Sequence, residues 1–129
     1  MVFRILFSCI FCIFLCIYLN CGSSVSKKNG QTGKYGLSNE QYEYVKIETV
    51  PDGKLDFEKK LGDKLLFLID GVAYNKKDAA LFTWGQAIKQ LGVANSEDAI
   101  SLYEEIKNIK LKEPQVRAII NGFNYEGKQ

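Results

Sequence analysis

The chain has 129 residues, 47% hydrophobic and 25% charged, with a formal net charge of +2 and no histidine. That length allows one ordinary domain plus a tail, and the charge is too small to argue for nucleic-acid binding. Without imidazole the chain lacks the usual general base near neutral pH and the commonest transition-metal ligand.

All four cysteines, Cys9, Cys12, Cys16 and Cys21, fall in or just after one apolar stretch. Met1 to Arg4 carries one positive charge, and Ile5 to Leu19 is apolar except for Ser8. About 20 apolar residues are needed to cross the hydrocarbon core, so this run is short for a membrane helix. It matches the apolar region of a secretory signal. A redox or metal site is the weaker reading. Cys9 and Cys12 form a C-x-x-C, but their neighbours are Ile, Phe and Leu, with no charge to stabilise a thiolate and no second C-x-x-C for zinc. An uncleaved anchor is the remaining alternative.

Cys21 follows the apolar run and directly precedes Gly22-Ser23-Ser24. This arrangement resembles the lipobox of bacterial lipoproteins, in which the cysteine thiol receives a diacylglycerol and a signal peptidase cuts before it. Tyr18-Leu19-Asn20 replaces the common small-residue approach, which makes the match similar to the looser lipoboxes of spirochaetal, Borrelia-type lipoproteins. The resemblance implies a signal peptide over 1–20, lipid on Cys21 and no thiol left in the folded domain. The domain then has no disulfide, no Cys/His metal site and no cysteine nucleophile. Acyl chains supply membrane affinity at roughly 0.8 kcal/mol per buried methylene.

Residues 21–36 read as the lipidated cysteine and a flexible tether. In "GSSVSKKNGQTGKYG" only Val25 is aliphatic, too little to offset ordering entropy. A tether of this length reaches on the order of 20 Å.

The remaining segment, 37–125, is read as the folded domain, with 126–129 as a frayed tail. Leu37 to Val50 is ambiguous between helix and strand; Ser38 with Gln41 fits a capping box and favours helix. Val50-Pro51-Asp52-Gly53 reads as a turn in which glycine takes positive φ. From Phe57, the positions Phe57, Leu61, Leu65, Leu68 and Val72 step at helical period, and Leu66, Phe67 and Ile69 make the segment apolar all round. That predicts a buried central helix, with a strand over 65–69 as the rival. Asn75 or Asp78 opens the next helix, along which Leu81, Trp84, Ile88 and Leu91 repeat before Gly92 ends it. Ser96 starts another, with Ala99, Tyr103 and Ile106 inward. Pro114 suits the first turn of a last helix carrying Val116, Ile119, Ile120 and Phe123. The sum is an all-α fold, a small bundle of four or five short helices.

No motif carries chemistry. There is no phosphate loop, no H-E-x-x-H and no G-x-S-x-G, and a Ser-His-Asp triad is impossible. Glu97, Asp98, Glu104 and Glu105 share a helix beside lysines and read as a solvated face rather than an acid pair. Asp70-Gly71 fits an active-site loop or a helix terminus equally. Two features suit binding. Lys59-Lys60, Lys76-Lys77 and Lys107, Lys110 and Lys112 could converge into a basic patch for a sulfated glycan or an acidic protein, against ordinary surface charge. Phe82 lies about 100° off the Leu81 face and, with Trp84, is a candidate partner contact, while Trp84 at core spacing reads first as core.

The expectation is a lipid-anchored, non-catalytic interaction module of the bacterial outer membrane, with no cofactor, no metal and no nucleic-acid partner. The spirochaetal resemblance implies a surface-exposed position, facing a host protein or glycan. The alternative is a periplasm-facing scaffold or inhibitor lipoprotein binding an envelope protein.

Overall fold

The structure, a computed structural model, describes residues 33–127. The expected signal peptide, Cys21 and the tether up to residue 32 lie outside the described residues. A compact unit begins at Gly33, four residues before the expected domain start, because Lys34–Gly36 forms a 3-10 turn tied to the rest of the fold.

The first α-helix, α1 (Asn39–Glu48), opens on the expected capping box. The backbone N–H of Gln41 donates to Ser38 Oγ at 3.2 Å, and Ser38 N–H donates to Gln41 Oε1 at 2.9 Å. These bonds satisfy two donors that a helix start otherwise leaves open, and they settle the 37–50 ambiguity in favour of helix. The Val50–Gly53 turn is present, with Gly53 N–H donating to Val50 O at 3.0 Å. Its positive φ (70°) falls on Asp52, one residue before the expected glycine.

The long central helix expected from Phe57 does not form. A single turn, α2 (Phe57–Lys60), stops before Gly62, whose φ is 68°. Strands β1 (Leu66–Ile69) and β2 (Val72–Asn75) follow as an antiparallel hairpin, pairing Leu66 with Asn75, Phe67 with Tyr74, Leu68 with Ala73 and Ile69 with Val72. Asp70 and Gly71 carry φ of 52° and 81°. Positive φ at both central residues is the condition of the two-residue type I′ hairpin loop, and Asp-Gly is among the sequences that favour it. The 4-4-3-4 stripe therefore loses to turn chemistry and to strand-favouring side chains. Among the described residues the fold is mainly helical, with one two-stranded sheet rather than helices throughout.

Helix α3 (Lys76–Leu91) is the centre of the core. Asn75 caps it, its Oδ1 accepting from Asp78 N–H at 2.8 Å, and Gly92 ends it at φ 111°. Ala79, Ala80, Leu81, Phe82, Trp84, Gly85 and Ile88 are all buried, so more than one face of this helix is covered. Helix α4 (Ser96–Lys107) starts at Ser96 as expected and is capped by Asn95, whose Oδ1 accepts from Asp98 N–H at 2.8 Å. It buries Ala99 and Leu102, while Tyr103 and Ile106 are half-buried. Helix α5 (Glu113–Phe123), with Pro114 in its first turn, lies closely against α3. Two glycines allow that approach. A Cβ on Gly122 would sit 1.9 Å from the Phe82 carbonyl oxygen, and one on Gly85 would sit 2.5 Å from that of Ile119. Trp84 Nε1 donates to the buried hydroxyl of Thr49 at 3.1 Å, joining α3 to the end of α1.

Candidate binding groove

The hairpin and the C-terminal end of α5 enclose an open groove of about 360 Å³. Its apolar wall comes from local rules already described. The I′ turn brings β2 back antiparallel, and Tyr74, pointing inward, meets Phe82 of α3 with ring centroids 5.4 Å apart at 55°. The chain leaving α5 places Tyr125 edge-on to Phe82, centroids 5.3 Å apart at 64°. Offset and edge-on arrangements suit the aromatic quadrupole. The polar lining is Asn121, Asn124, Asp70 and Glu126. Asn121 Nδ2 donates to Tyr74 Oη at 3.0 Å and fixes that ring.

Phe82, expected as an exposed anchor, is only 4% exposed. The single-stripe argument fails because α3 is covered by α5 on one side and by the hairpin on another. Phe82 nevertheless lines the groove, between two tyrosines. Trp84 is 2% exposed and is core, stacked edge-on against Tyr103 at 4.9 Å. It borders a smaller recess of about 40 Å³ that Lys77, Lys107, Asp56 and Glu58 also line. Burial pushes the Tyr103 hydroxyl's pKa up, the nearby Glu58 and Asp56 carboxylates acting in the same direction.

Carboxylates pair with two of the lysines expected in a basic patch, Lys110 and Lys59. Lys110 Nζ lies 2.9 Å from Glu104, which also accepts the Leu111 backbone N–H at 2.9 Å. That backbone bond, followed by Lys110, lowers the pKa of Glu104. Lys59 pairs with Asp52. Lys112 sits at the α5 N-cap, where its backbone N–H donates to Gln115 Oε1 at 2.9 Å. Lys107 is half-buried beside Asp56 and Glu58 at the smaller recess.

One charged cluster organises the start of the domain. Glu105 on α4 accepts from Lys34 Nζ at 2.5 Å, Tyr35 Oη at 2.6 Å and Tyr42 Oη at 2.5 Å. These three donors, Lys34 foremost, hold its pKa down at about 2. In return Lys34 and Tyr42 shift up through the same contacts, and Tyr35 shifts up through burial and then Glu105. Tyr35 O also accepts from Ala94 N–H at 3.4 Å, so the chain entering the domain is pinned to the α3–α4 connection. Composition could not point to this cluster, since Glu105 lies 63 to 71 residues from its three donors.

Among the described residues no group of three or more Cys, Asp or Glu side chains is placed to hold a metal ion. No helix among them is long and apolar enough to cross a membrane. Comparison with protein-family models, with curated proteins and with solved structures found no match to the chain.

Proposed function

We propose that the protein is a lipid-anchored, non-catalytic interaction module of the bacterial cell envelope, engaging a partner through the groove between the hairpin and α5. The groove carries the reading. It offers stacked aromatic rings, amides that can both donate and accept, and the carboxylates Asp70 and Glu126 at one place. Such a surface suits an extended polypeptide segment bearing a basic or amide side chain, since rings supply contact area at low entropy cost and the polar groups set register. The same carboxylates disfavour a sulfated glycan at this site. The anchor is supported by the Cys21 lipobox resemblance. An outward, host-facing position follows from that resemblance; a periplasm-facing scaffold or inhibitor is the second reading.

Site-specific photocrosslinking in living cells tests the groove. A crosslinker at Glu126, on the groove, is compared with one at Glu40, exposed at the start of α1 and outside it. The proposal predicts a discrete adduct from position 126 that Tyr125→Ala abolishes, and none from position 40. Equal adducts from both positions, or none from 126, would contradict it.

A further inference from the structure

The smaller recess, about 40 Å³, shares no lining residue with the groove. Three elements build it. Lys77, Leu81 and Trp84 step by four and three along α3 and so share one face. Tyr103 and Lys107 stand four apart on α4 and share a face likewise. Trp84 and Tyr103 meet edge-on, and each helix carries its lysine one or two turns away from that contact. The third wall is Asp56 and Glu58, at the start of α2. The floor is apolar, since Leu55, Leu81 and Trp84 are all buried.

The walls hold two cations and two carboxylates that do not neutralise one another. Among the described residues, the side chains of Lys77, Lys107 and Glu58 enter no ion pair and no hydrogen bond. Asp56 Oδ2 accepts the Asp52 backbone N–H at 2.9 Å, and Asp56 likewise enters no ion pair among them. The half-buried Tyr103 hydroxyl donates to no described residue. Because burial raises its pKa, it stays protonated at neutral pH and keeps a proton to donate. Asp56 and Lys107 are themselves half-buried, and partly buried charges are screened less than exposed ones.

Charge balance selects the occupant. Two positive and two negative charges around one opening sum to zero, so an ion of either sign meets repulsion as well as attraction. A molecule that carries both signs meets attraction at both ends. Its carboxylate faces Lys77, Lys107 and the Tyr103 hydroxyl, and its ammonium faces Asp56 and Glu58; charge-assisted hydrogen bonds of this kind are the strong ones. The enclosed space limits what else the molecule carries. At roughly 10–15 Å³ for each water-sized group, 40 Å³ takes about three heavy atoms. A short aliphatic side chain fits over the apolar floor, and an aromatic ring does not.

We propose that this recess is a binding site for a free α-amino acid with a short aliphatic side chain. The proposal rests neither on the groove nor on the lipid anchor.

Trp84, the single tryptophan, lines the recess and reports its occupancy. The full chain, kept reduced in detergent micelles, is titrated with L-valine and followed by tryptophan emission and, independently, by calorimetry. The expected result is saturable binding, with L-alanine also bound and L-phenylalanine excluded. N-acetyl-L-valine lacks the ammonium and L-valinamide lacks the carboxylate, so each should bind about tenfold more weakly or worse. Lys107→Gln and Glu58→Gln should each weaken L-valine by about tenfold while leaving the far-ultraviolet circular dichroism unchanged. Lys112→Gln, outside the recess, should leave the affinity as it is. No saturable binding of L-valine by either readout up to about 10 mM would overturn the proposal. So would equal binding of L-phenylalanine, or an affinity indifferent to both Lys107 and Glu58. A one-charge analogue that binds as tightly as L-valine would overturn it as well and assign the recess to a peptide end.

Discussion

Replacing Gly122 with alanine probes the contact on which both the core and the groove depend. The new methyl carbon would lie 1.9 Å from the carbonyl oxygen of Phe82, whereas real Cβ atoms essentially never come within 3.0 Å of such a neighbour. The obstacle is backbone on a central helix, so no side chain can rotate away. Helices α3 and α5 must part by about 1 Å, which forfeits close packing along the contact at a cost of roughly 1–3 kcal/mol, toward the upper end for a backbone clash. Against this, alanine is intrinsically better than glycine inside a helix by about 1 kcal/mol. The net expectation is a loss of about 2 kcal/mol, or roughly 10 °C in Tm for a domain of this size. Trp84, the single tryptophan, reports the transition, because it is buried and bonded to Thr49 in the folded state. Thermal and urea unfolding followed by its fluorescence would measure the loss. Because Phe82 lines the groove, the same substitution should also weaken the crosslink from Glu126. A Gly122→Ala protein as stable as the parent, or more stable, would show that the two helices do not approach as described and would refute the packing argument.

Other substitutions test separate parts of the structure. Glu105 has its pKa lowered from 4.5 to about 2. Its contribution is therefore fully present above the unfolded value near 4.5 and is lost as the pH falls toward 2. The whole shift would be worth about 3 kcal/mol; with the side chain 34% exposed, screening reduces the expected contribution to about 1–2 kcal/mol. Glu105→Gln should lower stability at neutral pH by that amount and flatten the pH dependence of urea unfolding between about 4.5 and 2; an unchanged acid profile would refute the assignment. Thr49→Val leaves the buried Trp84 N–H without a partner and should cost about 1–3 kcal/mol in urea unfolding. A neutral result there would mean that the indole finds another acceptor. Protease shaving of intact cells, with a periplasmic protein as leak control, should digest the domain while the control survives; survival of both would favour the periplasm-facing reading.

How much of this was legible in the sequence depended on whether the signal was local. The Ser38–Gln41 capping box, Gly92 as the end of α3, Pro114 at the start of α5 and Trp84 as core all rest on neighbours within a few residues, and each is found. Over 65–75 periodicity misleads, because a run of leucines satisfies helical period and strand burial alike. Asp70-Gly71, flanked by Leu66–Ile69 and Val72–Tyr74, was the better guide, since its positive φ values demand a reversal that no helix permits. Period also misplaced Phe82. A single-stripe reading assumes one buried face, and α3 is covered by α5 and the hairpin at once. The groove combines residues 69–74, 82 and 121–126, and Glu105 gathers donors from 34, 35 and 42. Only tertiary folding brings such positions together, so no local pattern announced them.

The proposed lipid on Cys21, which would hold the domain at the membrane, is tested by the mass of the mature N-terminus. The protein, expressed in a bacterium and extracted from its membranes, would be digested and its N-terminal peptide measured by mass spectrometry. The expected result is a peptide that begins at Cys21 and carries diacylglycerol on the thiol, together with an uncut, unacylated precursor when Cys21 is replaced by alanine. A mature chain that begins elsewhere with Cys21 unmodified, or a Cys21→Ala protein that is processed normally, would contradict it.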